Sequence, residues 1–106
     1  MGVMVMALFR PKPGQAADLM ACMRDHMAVL RGQGLATDRP ALVLRARDGT
    51  LVEIFEWVSQ AAIDAAHVNP EVGKLWQRYA ACCDYLTLAD LAEAREMFPG
   101  FELVAA

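Results

Sequence analysis

The sequence predicts an α+β domain of the ferredoxin-like order βαββαβ, with an antiparallel sheet and helices on one of its faces. Apolar runs of strand length alternate with segments of helical period, and an Asp-Gly pair joins two consecutive strand-like runs. A chain of 106 residues is long enough for one hydrophobic core but not for two. We therefore expect a single domain over residues 1–106.

The composition excludes several classes of protein. With 57% hydrophobic residues and a net charge of −3, the chain lies far from disordered sequences and above the usual globular range. The uncharged stretch over residues 1–9 is too short for a membrane span, and it has neither the basic start nor the cleavage site of a signal peptide. We therefore expect a cytoplasmic protein whose surplus apolar surface meets a partner subunit or an apolar ligand.

The charges and the cysteines argue against nucleic acid, metal ions and disulfides. The 10 basic and 13 acidic residues form no cationic stripe, so nucleic acid is not an expected partner. Cys22, Cys82 and Cys83 are odd in number and lack the C-x-x-C spacing of a zinc site. The pattern indicates reduced thiols and predicts neither a disulfide framework nor a metal site.

The hydrophobic pattern changes between the first predicted strand and the first predicted helix. The run Val3–Phe9 is apolar on both faces and ends at two prolines and a glycine, which predicts a buried strand. Residues 15–32 then show an apolar arc of helical period, which ends at a pair of glycines. His26 lies at the edge of this arc, where a half-buried structural histidine and a ligand-binding one are both open. The arc consists of Ala16, Leu19, Met20, Met23, Met27 and Leu30.

Residues 41–59 predict a β-hairpin around the Asp48-Gly49 turn. If Arg47 pairs with Thr50, Leu42 and Leu44 share a face with Phe55 and Trp57. Both faces are then mostly apolar, and each carries one candidate buried carboxylate, Glu53 or Glu56. Either carboxylate has two open roles: an ion pair with Arg45 or Arg47 across the hairpin, or catalysis.

The second half of the chain predicts two helices and further short strands. Ser59 caps a short helix that ends at His67, and Asn69-Pro70-Glu71 has the cap, the first-turn proline and the acidic residue of a second helix. A strand-like run at 85–88 follows, then a turn or loop at 90–97 and a last apolar run at 101–104. The expected buried face of the second helix comprises Val72, Trp76, Tyr79, Ala80 and Cys83.

The sheet carries more apolar surface than its helices can cover. Helices in this topology cover one face, whereas the first three strands are apolar on both. We expect a second copy of the chain to cover the other face through an isologous homodimer interface. The tail over residues 90–106 has two open positions, on its own subunit or on the partner.

The sequence also resembles a known family. The run Phe55–Ser59, followed by residues 61–70 and by Leu75-Trp76, resembles the antibiotic biosynthesis monooxygenase-like domains, which are dimeric α+β barrels. The resemblance covers nearly the whole chain in the order of its elements. It implies a pocket between sheet and helices in each subunit, into which His67 points, and an oxidoreductase activity. The superfamily also contains haem-degrading and quinol monooxygenases, decarboxylases and isomerases.

Cofactor-independent oxidation of a small phenolic, quinol or polyketide-like substrate is the first functional hypothesis. It requires an apolar cavity for the ring, a base and donors for the developing oxyanion. His67 is the candidate catalytic base, because imidazole titrates near neutral pH. The candidate substrate-binding residues are Trp57, Asn69, Trp76 and Tyr79, as ring walls and hydrogen-bond donors.

No cofactor is expected. In the resemblance, Ala7 and Trp76 stand where the haem-degrading members have an asparagine and the ligand histidine, so haem binding is not predicted. The alternative hypothesis is a non-catalytic small-molecule-binding or stress-linked dimer. In it Trp76 and Tyr79 are ordinary core residues, and His67 caps the carbonyl end of its helix.

Overall fold

The protein is an α+β domain with its helices packed on a five-stranded antiparallel sheet. The computed structural model describes residues 2–105, so positions 1 and 106 of the predicted domain lie outside the described residues. The sheet order β4-β1-β3-β2-β5 is compatible with a ferredoxin-like fold. Within the described residues, two helices stand between β3 and β4, and a fifth strand follows. The strands are β1 Val3–Pro11, β2 Leu42–Arg45, β3 Leu51–Trp57, β4 Cys83–Leu86 and β5 Glu102–Ala105; the helices are α1 Ala16–Gly32, α2 Gln60–Ala66 and α3 Pro70–Cys82.

The predicted helix caps are present. The Ser59 hydroxyl accepts a hydrogen bond from the Ala62 N–H at the start of α2. The Asn69 side chain accepts from the N–H groups of Glu71 and Val72, with Pro70 as the first residue of α3. These bonds satisfy backbone donors that have no partner inside the helix. Both helices therefore begin where the sequence predicts.

The hairpin register differs from the prediction by one residue. Arg45 pairs with Leu51, and the Ala46 N–H donates to the Thr50 carbonyl, so the turn contains three residues instead of two. Gly49 takes a φ of +91° and the Asp48 carboxylate accepts from the Thr50 N–H, which is a type I turn followed by a left-handed glycine. This shift moves the β2 side chains to the opposite faces of the sheet from those predicted.

The helix face of the sheet carries most of the core. Alternate residues of β1 and β3 point towards the helices, and Val43 joins them from β2. Two buried clusters lie on this face, one around Tyr79 and one around Phe55. The strand residues of this face are Val3, Val5, Ala7, Phe9, Leu51, Glu53, Phe55 and Trp57.

The opposite face, which we call the open face, is covered only in part. Leu91, between two short 3-10 turns that precede β5, packs there in a smaller buried cluster with Leu8, Ala46 and Val52. Towards the other end of the strands, Met4 is 51% and Met6 45% exposed. The cover of this face within the described chain is therefore the segment that leads into β5.

That segment is attached to its own chain. β5 pairs with β2, and Arg45 forms an ion pair with Glu102 at 3.0 Å. The buried carboxylate of Glu93 accepts a hydrogen bond of 2.8 Å from the Arg47 N–H at the hairpin turn. In the described single chain the segment before β5 and β5 itself pack on their own subunit, which is one of the two positions that the sequence leaves open.

The buried face of α3 differs from the prediction. Leu75 and Cys82 are buried with Val72 and Tyr79, whereas Trp76 is half-buried and Ala80 is exposed. One side of α3 packs against α1. A second side, which carries Trp76 and Ala80, borders an open space between α3 and the sheet.

Two further findings concern cysteines and membranes. The three cysteines are free and buried, and burial raises the pKa of the Cys83 thiol to about 12. None of the helices in residues 2–105 combines the length and hydrophobicity that a bilayer span requires.

Candidate functional site

A cavity of about 740 Å³ lies between the helix face of the sheet and the free side of α3. Its volume is in the range of small-molecule sites in proteins. Small residues on both walls leave the space: Ala7 on β1 and Gly73 on α3. The exposed residues His67, Gln77 and Tyr85 also border the cavity, so it opens to solvent on their side.

Aromatic rings form most of the deep wall. Tyr79 stacks on Phe9 with ring centroids 4.7 Å apart, and Phe55 lies 5.5 Å from Trp57. Trp76 reaches in from α3. Aromatic side chains of this kind suit an apolar or aromatic ligand, because flat rings pack closely on other flat rings.

None of the described residues that line the cavity is Asp, Glu, Lys or Arg. Its titratable lining residues are His26, His67, Tyr79 and Tyr85. Burial raises the pKa of Tyr79 well above its ordinary value, with the Glu53 carboxylate adding to the effect, and raises the pKa of Tyr85 to about 12. Both phenols therefore stay protonated at neutral pH.

The predicted site residues fall into two groups. Trp57, Trp76, Tyr79 and His67 all border the cavity, so the structure brings four of the five together. Asn69 does not border it: its side-chain oxygen caps α3, and its amide donates to the Gln33 side chain at 3.1 Å.

His67 stands at the mouth of the cavity. Its side chain is exposed, and its Nδ1–H donates to the Ile63 carbonyl at 2.9 Å, which is the capping contact that the alternative hypothesis expects. Its ring also meets Trp76 edge-on at 5.3 Å. With Nδ1 occupied by a carbonyl, Nε2 is the nitrogen that remains to accept a proton. Its role as the base remains a prediction.

The structure adds a buried pair that the sequence does not connect. His26 on α1 and Glu53 on β3 meet at 2.6 Å between Nδ1 and Oε1, with side chains only 4% and 1% exposed. The expected cross-hairpin partners were wrong: Arg45 pairs with Glu102, and Arg47 with Glu96. The sequence does mark His26 and Glu53 individually, because each is a polar side chain on an otherwise apolar face.

Glu56 lies on the open face instead. Its carboxylate accepts from the Thr37 hydroxyl at 2.9 Å and from Arg39 at 3.1 Å, and these bonds lower its pKa. It is therefore an ionised residue near the end of the central strand β3, and it does not border the cavity.

Among the described residues, no group of three or more His, Cys, Asp or Glu side chains is placed to hold a metal ion. Comparisons with protein-family models, with curated proteins and with solved structures find no match to this chain. The resemblance to the antibiotic biosynthesis monooxygenase-like domains therefore remains a prediction from the sequence.

Proposed function

We propose that the protein binds a small, uncharged aromatic molecule in this cavity and oxidises it with O₂ without a cofactor. The observation that carries the proposal is the cavity itself, which combines an aromatic wall with two histidines, His26 and His67, and has no Asp, Glu, Lys or Arg among its described lining residues. A charged ligand would lose its hydration there without gaining a counter-ion. A phenol or quinol fits this environment.

The oxidation balances without a further reactant. A base takes the phenolic proton, and the phenolate passes one electron to O₂. The radical pair then combines at a ring carbon that bears a hydrogen, ortho or para to the oxygen. Loss of that hydrogen and cleavage of the O–O bond release water and leave a quinone, so that one oxygen atom of O₂ enters the product. An apolar cavity favours this sequence because it limits the access of water to the intermediates.

Oxygen uptake with a panel of phenols and quinols tests the oxidation directly. We expect uptake with at least one compound, and ¹⁸O from ¹⁸O₂ in its quinone product. A cavity-filling substitution, Gly73→Leu, should abolish uptake because its side chain enters the cavity, where a Cβ at this position meets no atom within 4 Å. Replacing a helical glycine also favours the helix, so loss of folding is not expected.

Lys74→Leu is the matched control, since Lys74 is exposed on the same helix and does not border the cavity. It should leave uptake unchanged. Uptake that survives Gly73→Leu, or no uptake with any compound, would contradict the proposed oxidation.

The alternative function is ligand binding without chemistry, and the hydrogen bond from His67 to the Ile63 carbonyl favours it because it gives His67 a structural role. Binding can be measured separately. The chain has two tryptophans, Trp57 and Trp76, and both border the cavity. Quenching of tryptophan fluorescence by a phenol without oxygen uptake would support this alternative.

A ferredoxin-like dimeric α+β barrel is the assembly we propose. The exposed apolar residues of the open face support it, because a second copy placed face to face would remove them from water. These residues are Met4, Met6, Leu42 and Leu103. Free, buried thiols support the cytoplasmic location that the sequence predicts.

Sedimentation tests the dimer. We expect a species of about 23 kDa, twice the chain mass of 11.6 kDa, and a shift to the monomer in Met6→Lys. Met97→Lys, at an exposed position of the segment before β5, should leave the mass unchanged. A wild-type protein that sediments only as a monomer at micromolar concentration would refute the dimer.

A further inference from the structure

A hydrogen bond of 2.6 Å joins the buried side chains of His26 and Glu53. When the Glu53 carboxylate is the acceptor, the proton of this bond belongs to His26 Nδ1. The neutral imidazole then carries its lone pair on Nε2. No described residue forms a hydrogen bond with Nε2, and His26 borders the cavity. Glu53 does not border the cavity, so a ligand meets the imidazole first.

Neighbouring rings hold this imidazole in place. Phe55 meets it edge-on at 5.0 Å between ring centroids, and Tyr79 at 5.4 Å. Together with the carboxylate, these contacts restrict rotation of the ring. A base with a fixed orientation needs little reorganisation when it takes a proton.

A second unpartnered polar atom lies beside the same space. The Tyr79 hydroxyl is buried without a hydrogen-bond partner among the described residues, and Tyr79 also borders the cavity. Burial of a hydroxyl without a partner destabilises the fold, so a ligand oxygen that accepts its hydrogen bond would remove that cost.

A purely structural pair explains less. Replacement of both partners of a buried hydrogen bond by apolar groups of the same shape can be nearly neutral or stabilising, so the packing of α1 on β3 does not by itself require His26 and Glu53. It also leaves unexplained why both the free nitrogen of His26 and the free hydroxyl of Tyr79 belong to residues of one cavity wall.

We propose that His26 is the base that takes the hydroxyl proton of the bound ligand, with Glu53 as its positioning residue and Tyr79 as the donor to the resulting oxyanion. The ligand O–H bond breaks, an Nε2–H bond forms, and the electron pair stays on the ligand oxygen. The imidazolium that results is stabilised by the Glu53 carboxylate, as in other histidine–carboxylate pairs. The inference rests on the proposed function for its ligand class and replaces His67 as the base.

The test uses 4-nitrophenol, whose phenolate is coloured, so that ionisation of the bound probe is measured without any oxidation. Tryptophan quenching reports binding, and absorbance against pH reports ionisation. We expect wild-type protein to increase the acid dissociation constant of the bound probe about tenfold or more. His26→Gln should abolish this increase, and Glu53→Gln should reduce it.

His67→Gln is the matched control, because His67 is the other histidine of the cavity. It should retain the tenfold effect, and loss of the effect in this variant with retention in His26→Gln would assign the base to His67 instead. The other titratable groups of the lining, Tyr79 and Tyr85, have raised pKa values and therefore stay protonated near neutral pH.

A second measurement on the wild-type protein keeps the test independent of folding in the variants. The ¹⁵N resonance of His26 Nε2 should move to its protonated position when 4-nitrophenol is added at constant pH. Absence of quenching would contradict the proposed binding as well as the base. Quenching with no change in probe ionisation, or with an unprotonated Nε2, would overturn the assignment of the base and leave ligand binding intact.

Discussion

The two faces of the sheet differ in how they are covered. On the helix face, three helices bury the strands and leave one cavity at the edge under α3. On the open face, the segment around Leu91 covers one end, while Met4 and Met6 remain about half exposed. The helix face is therefore complete within one chain. The open face keeps exposed apolar residues, which the proposed second copy would cover.

β3 carries one carboxylate on each face. Their surroundings differ because the helix face is covered more completely than the open face. Glu53 is buried and has a single partner, His26, whereas Glu56 is partly exposed near the end of β3 and accepts hydrogen bonds from the Thr37 hydroxyl and Arg39. A carboxylate that is removed from water depends on its partner far more than one that water can still reach.

Glu53→Ala should have the largest effect on stability. It leaves the Nδ1–H of His26 buried without an acceptor, which costs about 1–3 kcal/mol, and the cavity left by the Glu53 side chain adds to that loss. Urea unfolding monitored by tryptophan fluorescence measures the loss. Glu56→Ala, on the same strand, should lose only a small fraction of that amount. Similar losses in the two variants would show that the faces do not differ in this way.

Leu91→Ala tests the cover of the open face. Leu91 is 2% exposed in the cluster with Leu8 and Val52, so truncation should cost about 2–3 kcal/mol. Leu88→Ala, at an exposed position of the same segment, is the control and should change stability by less than about 0.5 kcal/mol. A loss below about 0.5 kcal/mol for Leu91→Ala in urea unfolding would mean that this segment does not cover the sheet in solution.

Glu93→Gln should have a smaller effect that depends on pH. The Arg47 N–H donates to the Glu93 carboxylate and holds its pKa below the ordinary 4.5. A lowered pKa stabilises the fold above the unfolded-state value, and this contribution is lost as the pH falls through the folded-state value. The gap in urea midpoint between wild type and variant should therefore be widest above pH 4.5 and should narrow towards about pH 3. An equal difference in urea midpoint at both pH values would contradict a stabilising hydrogen bond from the Arg47 N–H to the Glu93 carboxylate.

Lys74→Ala should have the smallest effect. Its pair with Glu71 is 3.3 Å long and both side chains are largely exposed, so the change in unfolding free energy should stay within about 0.5 kcal/mol. Thermal unfolding of the two proteins side by side measures it. A larger loss would mean that the outer side of α3 contributes more than its exposure indicates.

Local signals predicted most of the fold. Apolar periodicity and the caps at Ser59 and Asn69 place the first strand and all three helices within a residue or two of their bounds. The hairpin register was wrong because Asp-Gly also fits a three-residue turn, and the choice between turns depends on backbone bonds at Ala46 and Thr50. The strand β4 begins at Cys83, two residues before the predicted run.

The site was predictable only in part. Trp57, His67, Trp76 and Tyr79 were found from the resemblance and from aromatic content, and they do border one cavity. The pairing of His26 with Glu53 was not found, because the two residues are 27 positions apart and periodicity carries no information about contacts at that separation.

The cavity between Ala7 and Gly73 lowers the stability that the chain could otherwise reach. Selection for stability alone favours side chains that fill such a gap, because each added contact lowers the energy of the folded state. Small residues on both walls keep the gap open, at a position on α3 where a larger side chain would also strengthen the helix. The proposed ligand site would account for stability forgone in this way.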